Sequence, residues 1–335
     1  MCQVEVVGRR IWEENKLQLR AISCMGFTTI GGRTSPQCDI GVSIKFVPKL
    51  SPVVTRGRTP KLRLMLAAMR RTMVDRDSEV LKNEVRDYWN SNPCGTQFTD
   101  LEWGNKAFFD EVERFRYQSQ PFMNRLIEFD QHRGERLLEV GCGLGTDLLQ
   151  FARGGAIVSG VDLTPRSIEL VRQRFALYGF PVSAQVADAE YLPFEDNLFD
   201  VVYSFGVLHH TPNTRHALEE AHRVLRPGGR LILMLYHKTS LHVLLGAPLH
   251  FLKGAQGEKE QTIAEDWVRV FDGQGNPLGK SYTRSEVRAM IPPMSQLEFT
   301  SVDPIRRRWP VWANAVNQFL FARRFGFFLI IKGTK

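Results

Sequence analysis

Residues 137–149 read LLEVGCGLGTDLL, and this stretch decides the fold of the chain. Its apolar start, residues 137–140, is typical of a parallel strand that is buried on both faces. Gly141, Gly143 and Gly145 follow at once and predict a loop whose backbone can approach a ligand closely. The helix predicted after this loop would direct its unpaired N–H groups towards that ligand. The stretch therefore predicts a strand, a ligand-binding loop and a helix in immediate succession.

The spacing of the three glycines indicates which kind of ligand the loop binds. A dinucleotide-binding loop has the pattern G-x-G-x-x-G, which would place its third glycine where this chain has Thr146. Glu139 precedes the first glycine, and a carboxylate there disfavours a pyrophosphate but attracts an ammonium or sulfonium group. The loop on its own still leaves a structural turn or another nucleotide site open as alternatives.

Three later stretches carry polar side chains at the ends of predicted strands. Residues 156–162 read AIVSGVD and end in Asp162, which lies 17 residues after Gly145, close to the ~20 expected of a ribose-binding acid. Residues 187–193 read ADAEYLP and place Asp188 after a third strand. A fourth strand, FDVVYSF, runs into GVLHH and so into two histidines. The alternation of strands with helices predicts a parallel sheet whose loops gather ligand-binding groups at one edge.

Five motifs in this order carry a resemblance to a known family. They span residues 136–236 and read LLEVGCGLGTD, GVDLTP, ADAEYLPF, FDVVYSFGVLHH and VLRPGGRLIL. In this combination the chain resembles a class I S-adenosylmethionine-dependent methyltransferase, of the broad group that includes ubiquinone/menaquinone methyltransferase-like enzymes. The resemblance implies an α/β, Rossmann-like fold with a seven-stranded, mostly parallel sheet, an antiparallel last strand and helices on both faces.

The same resemblance implies S-adenosylmethionine as the cofactor and assigns residues to its parts. Around the methionine moiety it places Glu139, Gly141, Gly143 and Gly145, and Cys142 within the same loop is a further cofactor-binding candidate. It places Asp162 on the ribose hydroxyls and Asp188, with the backbone of Ala189, on the adenine. Leu163 and Phe205 complete the expected cofactor site.

Two histidines are the candidate catalytic residues. Methyl transfer from a sulfonium needs a general base only if the nucleophile must lose a proton. His210, or else His209, follows the fourth strand at the ligand-binding edge, and a neutral imidazole is a suitable base near neutral pH. Packing, or a hydrogen bond to the loop, is the alternative role for either ring. No combination of Asp, Glu, His and Cys in the sequence predicts a metal site.

The basic charge of the chain is confined to its first part. Residues 1–75 contain 13 Lys and Arg against 5 Asp and Glu, whereas residues 76–335 contain 31 of each. A nucleic-acid partner is therefore not expected for the catalytic domain. Residues 1–75 lack sustained periodicity and are predicted to be a disordered basic tail, with an extension upstream of the true start, a targeting peptide or an interaction arm as interpretations.

Residues 76–335 are predicted to form the methyltransferase domain. Residues 76–132 are expected to be a helical lid, with Trp89, Tyr117 and Phe122 as candidate lid aromatics or ordinary core residues. Residues 239–282 are expected to be an insertion on the substrate side, in which 255–279 form a loop. Residues 297–302 and 325–332 are predicted to be the last two strands.

The cysteine content and the hydropathy of the sequence indicate where in the cell the protein is expected. Its five cysteines have no metal-binding or redox spacing, which indicates free thiols in a reducing compartment, so the cytoplasm is expected. No uncharged apolar window of 18 residues predicts a membrane span, since Arg323 and Arg324 interrupt the apolar stretch 311–331. Peripheral contact with a membrane by the apolar residues 239–253 stays open.

These observations favour an S-adenosylmethionine-dependent methyltransferase that acts on a small-molecule acceptor. An RNA or protein methyltransferase is the nearest alternative, and a non-catalytic cofactor-binding protein of the same fold is another. A nicotinamide-dependent oxidoreductase fits less well, because of Thr146 and the ADAEYLPF stretch.

Overall fold

The structure is a computed structural model that describes residues 77–252, 263–273, 275–306 and 310–335. The predicted basic tail, residues 1–75, lies outside the described residues.

The described residues form one seven-stranded sheet with the order β3-β2-β1-β4-β5-β7-β6. The strands are β1 (Arg136–Val140), β2 (Ile157–Asp162), β3 (Ser183–Val186), β4 (Phe199–Phe205), β5 (Leu225–Tyr236), β6 (Ser295–Val302) and β7 (Phe328–Thr334). The first five pair in parallel, and β7 runs antiparallel to both β5 and β6. The predicted mostly parallel sheet with an antiparallel last strand is confirmed.

Helices cover both faces of this sheet. They are α1 (residues 77–91), α2 (Lys106–Ser119), α3 (Met123–Ile127), α4 (Thr146–Arg153), α5 (Pro165–Tyr178), α6 (Thr214–Val224), α7 (Leu241–Leu252), α8 (Ile263–Phe271), α9 (Arg284–Met290), α10 (Val311–Val316) and α11 (Ala322–Phe325). A π-helical turn (Asn317–Phe321) joins α10 to α11, and short 3-10 turns occupy Thr96–Phe98 and Leu208–His210.

Successive residues of the central strands contribute their side chains to two separate hydrophobic cores. In β1, Leu137 joins the core on one face, together with Phe151 of α4 and Phe175 of α5. Leu138 joins the core on the other face, together with Leu218 of α6. All of these side chains are buried, and each such burial contributes about 1.5–3 kcal/mol. The continuous apolar run of β1 is thus explained by a parallel strand that is covered on both sides.

Two regions after β5 differ from the sequence prediction. Residues 255–279 were expected to form a loop, and this is wrong for residues 263–271, which form α8. Polar flanking residues hide its short apolar pattern, in which Val268 is buried and Trp267 packs against His242 of α7. The helical segment 311–325 was not predicted, and it places the start of β7 at Phe328 instead of residue 325.

The sheet order reverses between β1 and β4, where the glycine loop lies. Carboxyl ends of parallel strands meet at one edge of the sheet, and ligands of such sheets bind at this point of reversal. Gly141, with φ +77°, is required here, because a Cβ on it would lie 2.3 Å from Cγ2 of Val207 after β4. The two loops that follow β1 and β4 are therefore in direct contact.

Replacement of Gly141 should be more destabilising than replacement of a glycine with the same backbone and free space. Gly134 has φ +75° and nothing within 4 Å of a built Cβ. We expect Gly134→Ala to lower the free energy of unfolding by about 1–2 kcal/mol, the cost of a left-handed backbone alone. Gly141→Ala should lower it by about 1–3 kcal/mol more, since Val207 must shift. Urea denaturation of both variants measures the difference, and equal losses would contradict the close approach.

Candidate active site

A cavity of about 650 Å³ lies at the carboxyl edge of the parallel strands. Its wall includes every residue predicted for the cofactor or catalysis except Gly145 and His209. Gly145 is the residue before α4, where its φ is +70°. Apart from these two, the residues predicted from the sequence therefore lie around one continuous cavity.

Asp162 holds the glycine loop against the end of β2. Its Oδ2 accepts a hydrogen bond of 2.9 Å from the backbone N–H of Gly143, and its Oδ1 accepts bonds from the N–H and hydroxyl of Thr164. Burial raises the pKa of the Asp162 carboxyl, while the bonds from Thr164 and Gly143 oppose this effect. Oδ2 keeps one lone pair for a further donor, so the carboxylate can also accept a hydrogen bond from a hydroxyl group in the cavity.

Glu139 places a buried carboxyl group beside the same loop. The residue is 4% exposed, and its Oε2 has no hydrogen-bond partner within the described part of the chain. Burial, and next the charge of Asp147, raises the pKa of this carboxyl well above its usual value. A cationic ligand group would supply the missing partner and stabilise the ionised carboxylate.

Asp147 brings Arg116 to the wall of the cavity. Its Oδ1 accepts hydrogen bonds from Arg116 Nε at 2.7 Å and from the hydroxyl of Tyr117 at 2.9 Å, and its Oδ2 accepts one from Tyr203 at 2.7 Å. These contacts join α2 and β4 to the first turn of α4. The sequence analysis missed Arg116, since its partner lies 31 residues away and no local pattern indicates the pair.

Asp188 is tied to the first helix. Its Oδ2 lies 2.6 Å from the ammonium of Lys82 in α1, which also lies 3.0 Å from Oε2 of Glu190. Lys82, Val85 and Trp89 all line the cavity, so α1 forms part of its wall.

The three candidate lid aromatics have different positions. Trp89 lines the cavity, and its ring lies 5.3 Å from that of His210. Tyr117 is not on the wall and binds Asp147, as described above. Phe122 belongs to the core, where its ring packs 6.2 Å from that of Phe328. For Tyr117 and Phe122 the structure therefore favours the structural alternative.

His210 lines the cavity opposite a carboxylate that the sequence analysis missed. Its Nδ1 donates to the backbone carbonyl of Leu278, so Nε2 is the acceptor nitrogen of the neutral ring. Nε2 lies 3.2 Å from Oδ2 of Asp272, whose Oδ1 accepts a hydrogen bond of 2.5 Å from the hydroxyl of Tyr236. A proton taken up by Nε2 would therefore be neutralised by Asp272.

His209 has a different environment. The ring is fully buried and lies 4.0 Å from the ring of Tyr236. Neither ring nitrogen has a hydrogen-bond partner among the residues that the structure describes. Burial, and then the nearby His210, lowers the pKa of His209 well below its usual value. The ring thus supports Tyr236 from behind the wall of the cavity.

His209, His210 and Asp272 also have the donor set of a metal site. One ligand atom from each lies within 4.8 Å of the others. Two imidazoles and one carboxylate can hold a divalent transition metal. A metal ion and a proton on His210 would use the same atoms, so an experiment must distinguish between them.

The strand order divides the cavity into two halves. The carboxyl ends of β1 and β2 and the loop after β3 contribute Glu139, Asp162 and Asp188, the three acids predicted for the cofactor. The ends of β4 and β5 contribute His210 and Tyr236, and Asp272 lies beside them. An acid-rich half therefore adjoins a half with a potential base.

Comparison with known proteins agrees with this architecture. Residues 138–233 match the family described as "Methyltransferase domain". The chain is 33% identical over 135 residues to sterol 4-C-methyltransferase of Caenorhabditis elegans, a match that covers 37% of this chain and 40% of the relative. It is 40% identical over 105 residues to 27-O-demethylrifamycin SV methyltransferase of Amycolatopsis mediterranei, covering 30% of this chain and 38% of the relative.

A solved structure is similar over a longer range. Magnesium protoporphyrin IX methyltransferase from Synechocystis, solved with S-adenosylhomocysteine bound, has 17% identity and a TM-score of 0.48, covering 76% of this chain and 99% of that one. The chain spans less than half the length of the two sequence relatives. The family match runs from Leu138 in β1 to Leu233 in β5, so it includes the glycine loop and the ends of β2, β3 and β4. Over these residues the chain is similar to methyltransferase domains.

Proposed function

We propose that the protein is an S-adenosylmethionine-dependent methyltransferase that acts on a small-molecule acceptor. The observation that carries the proposal is one cavity that combines the buried Glu139 carboxyl, whose Oε2 has no partner among the described residues, with a histidine–aspartate pair farther along the sheet edge. Such a cavity can hold a cationic donor and an acceptor together.

The cofactor half suits each part of S-adenosylmethionine. We assign the ammonium of its methionine moiety to Glu139, and the carboxylate to Arg116, whose Nε and Nη2 are used by Asp147 while other N–H donors of the guanidinium remain. Asp162 would accept the ribose hydroxyls. The loop residues Gly141, Cys142 and Gly143 let the ligand approach the backbone, and Gly145 shapes the loop from behind.

The loop after β3 would bind the adenine, and two apolar residues would complete the cofactor half. We assign the adenine to Asp188 and the backbone of Ala189, with Lys82 holding the Asp188 side chain in place. Leu163 and Phe205 line the cavity on either side of the glycine loop in the strand order, and would provide apolar contacts.

The mechanism requires positioning, exclusion of water and removal of one proton. S-adenosylmethionine supplies an activated methyl group on a sulfonium sulfur. The aromatic wall, with Trp89 and Phe271, would exclude water and orient the acceptor. His210 Nε2 would take the proton from an acceptor hydroxyl, and Asp272 would neutralise the resulting imidazolium.

An apolar acceptor that carries a hydroxyl group fits the acceptor half best. Aromatic and aliphatic side chains line it, among them Trp89, Phe271, Ile305 and Phe328. The names of the two sequence relatives mention a sterol and a rifamycin, both small molecules. A large RNA or protein acceptor would have to pass α1, and residues 76–335 carry no net positive charge.

The proposal extends to the domain organisation and the location. We propose residues 76–132 as the part that covers the site, residues 239–282 as an acceptor-side insertion, and 1–75 as a separate basic segment. Cys94 and Cys142 are free thiols, which fits a reducing compartment such as the cytoplasm. No helix among the described residues is long and apolar enough to cross a bilayer.

Binding of S-adenosylhomocysteine should release a proton from Glu139. The raised pKa of the Glu139 carboxyl favours its protonated form before binding, whereas the ligand ammonium favours the carboxylate. Affinity should therefore rise with pH until the pH exceeds the raised pKa. Calorimetric titration in two buffers of different ionisation enthalpy measures the released proton.

Glu139→Gln and NADH serve as controls for this titration. The variant should lose the proton release and bind about 10–100-fold more weakly, since it loses a charge-assisted hydrogen bond. NADH should not bind. Binding without proton release, or equal affinity of the variant, would remove Glu139 from the ligand.

His210 should be needed for turnover but not for binding. Asparagine keeps a donor for the Leu278 carbonyl, so His210→Asn should retain the fold and the affinity for S-adenosylhomocysteine. The rate should fall by about 10²–10⁴-fold, because the general base is lost. Formation of S-adenosylhomocysteine from S-adenosylmethionine, measured by mass spectrometry against a panel of hydroxylated aromatic acceptors, provides the readout.

His216→Asn is the matched control, since His216 lies on α6 and pairs with Glu219 away from the cavity. Dialysis against EDTA distinguishes a general base from a metal ligand. If His210 acts as a general base, the rate should be unchanged after dialysis. Loss of activity with EDTA would assign the histidines to a metal instead. Absence of turnover with every acceptor, in protein that binds the ligand, would favour a non-catalytic binding protein.

Cys94 provides a reporter on the cavity wall, where the residue is exposed to solvent. Desolvation by the surrounding protein raises the pKa of its thiol to about 11, although the nearby Arg116 opposes the shift. Alkylation by iodoacetamide should therefore accelerate about tenfold per pH unit through mildly alkaline pH with no plateau. In urea the rate should level off near the ordinary thiol pKa of about 8.5. S-adenosylhomocysteine should slow the reaction of the folded protein, and a plateau below pH 9 without urea would contradict the raised pKa.

A further inference from the structure

The helical segment Val311–Phe321 has its polar side turned towards the protein. Asn317 is buried and donates a hydrogen bond of 3.0 Å to Oδ2 of Asp303, and Gln318 donates one of 2.7 Å to the Asp303 carbonyl. The side chain of Asn314 exchanges two hydrogen bonds with the backbone of Arg306. These bonds fix the orientation of the helix.

The opposite side of this segment is apolar and exposed. Phe319 is 80% exposed and Trp312 is 70% exposed, and Val311, Val316 and Leu320 accompany them. A helix in water normally buries its apolar side, so this inverted arrangement indicates an apolar partner.

A second helix presents the same kind of surface. Nothing in α7 (Leu241–Leu252) is acidic or a Lys or Arg, and its exposed apolar residues are Leu244, Leu245, Leu249 and Leu252. Arg306 Nη2 lies 3.2 Å from Nδ1 of His242, so the residues that lead into α10 contact the first turn of α7. Ile305 and Arg306 also line the cavity, which places this surface beside the acceptor half.

The charge of the surrounding sequence restricts the partner. Residues 304–325 contain five Arg but no Lys, Asp or Glu. A second copy docked across a two-fold axis would bring these like charges together. Residues 1–75 carry a net charge of the same sign, since they contain 13 basic and 5 acidic residues. An anionic apolar surface complements both properties.

We propose that the exposed apolar sides of α7 and of the segment Val311–Phe321, which we call the docking surface, bind an anionic lipid bilayer. Trp312 and Phe319 enter the interface between headgroups and acyl chains, and Arg323 and Arg324 contact the lipid headgroups. Each basic residue close to such a surface strengthens binding about fivefold.

The docking surface also narrows the acceptor class. An acceptor dissolved in the bilayer would reach the cavity along Ile305, which implies a lipophilic acceptor; this part rests on the proposed methyltransferase function. The docking itself does not depend on catalysis, so the two are measured separately.

Sedimentation of the full chain with large vesicles tests the proposal. Vesicles of equal parts phosphatidylcholine and phosphatidylglycerol should bind the protein, those of phosphatidylcholine alone should bind it much less, and salt should weaken binding by screening. Phe319→Asp should weaken binding by about tenfold or more, because a charge replaces an inserted ring. Arg323→Glu with Arg324→Glu should weaken it by a similar factor.

Leu177→Asp is the matched control, since Leu177 is 48% exposed on α5, far from the docking surface in the sheet order. This variant should bind vesicles as the wild type does. All variants should keep their affinity for S-adenosylhomocysteine, which reports the fold and the cofactor site independently.

Three results would overturn the proposal. One is no vesicle binding by a wild-type protein that is monomeric in ultracentrifugation. Another is a wild-type dimer that Phe319→Asp dissociates, without vesicle binding, since a second copy would then cover the surface. The third is equal binding to neutral and anionic vesicles, or an equal loss in Leu177→Asp.

Discussion

The buried carboxylate of Asp147 is the interaction on which the site depends. It lies in the first turn of α4 and accepts hydrogen bonds from Arg116, Tyr117 and Tyr203, which belong to α2 and β4. A buried ion pair is tolerated only when its hydrogen bonds are satisfied, and here two tyrosines complete them. The pair fixes α2 over the glycine loop, and its carboxylate contributes to the raised pKa of Glu139. One side chain thus controls both the architecture and the electrostatics of the cofactor half.

The strand order brings a second group of polar side chains to the same cavity. Because the order reverses between β1 and β4, the loops of the first three strands and those of the next two open towards a common cavity. Acidic groups gather on one side of the reversal, and the His210–Asp272 pair lies on the other. Ile305 and Arg306 also line the cavity, close in sequence to the exposed apolar residues of α10.

The sequence predicts those parts of the site that depend on short-range spacing. Glu139 lies at the end of β1 directly before the glycines, Asp162 ends β2 and Asp188 follows β3, so the parallel sheet brings them together. Arg116, Lys82 and Asp272 escaped prediction because their partners are distant in sequence, and Asp272 follows a helix whose pattern is short. The segment Val311–Phe321 was missed for another reason. Apolar periodicity is normally interpreted as a buried face, and here that face is exposed.

The hydrogen bonds that Asp162 accepts from Gly143 and Thr164 affect the entropy of ligand binding. A free surface carboxylate must lose rotational freedom before it can accept a hydrogen bond from a ligand hydroxyl group, and this loss weakens binding. In this protein three donors already hold the carboxylate, and one of them is the loop that the ligand must contact. The Asp162 carboxylate is therefore preorganised. Its conformational entropy is lost when the protein folds, so ligand binding does not incur this loss again.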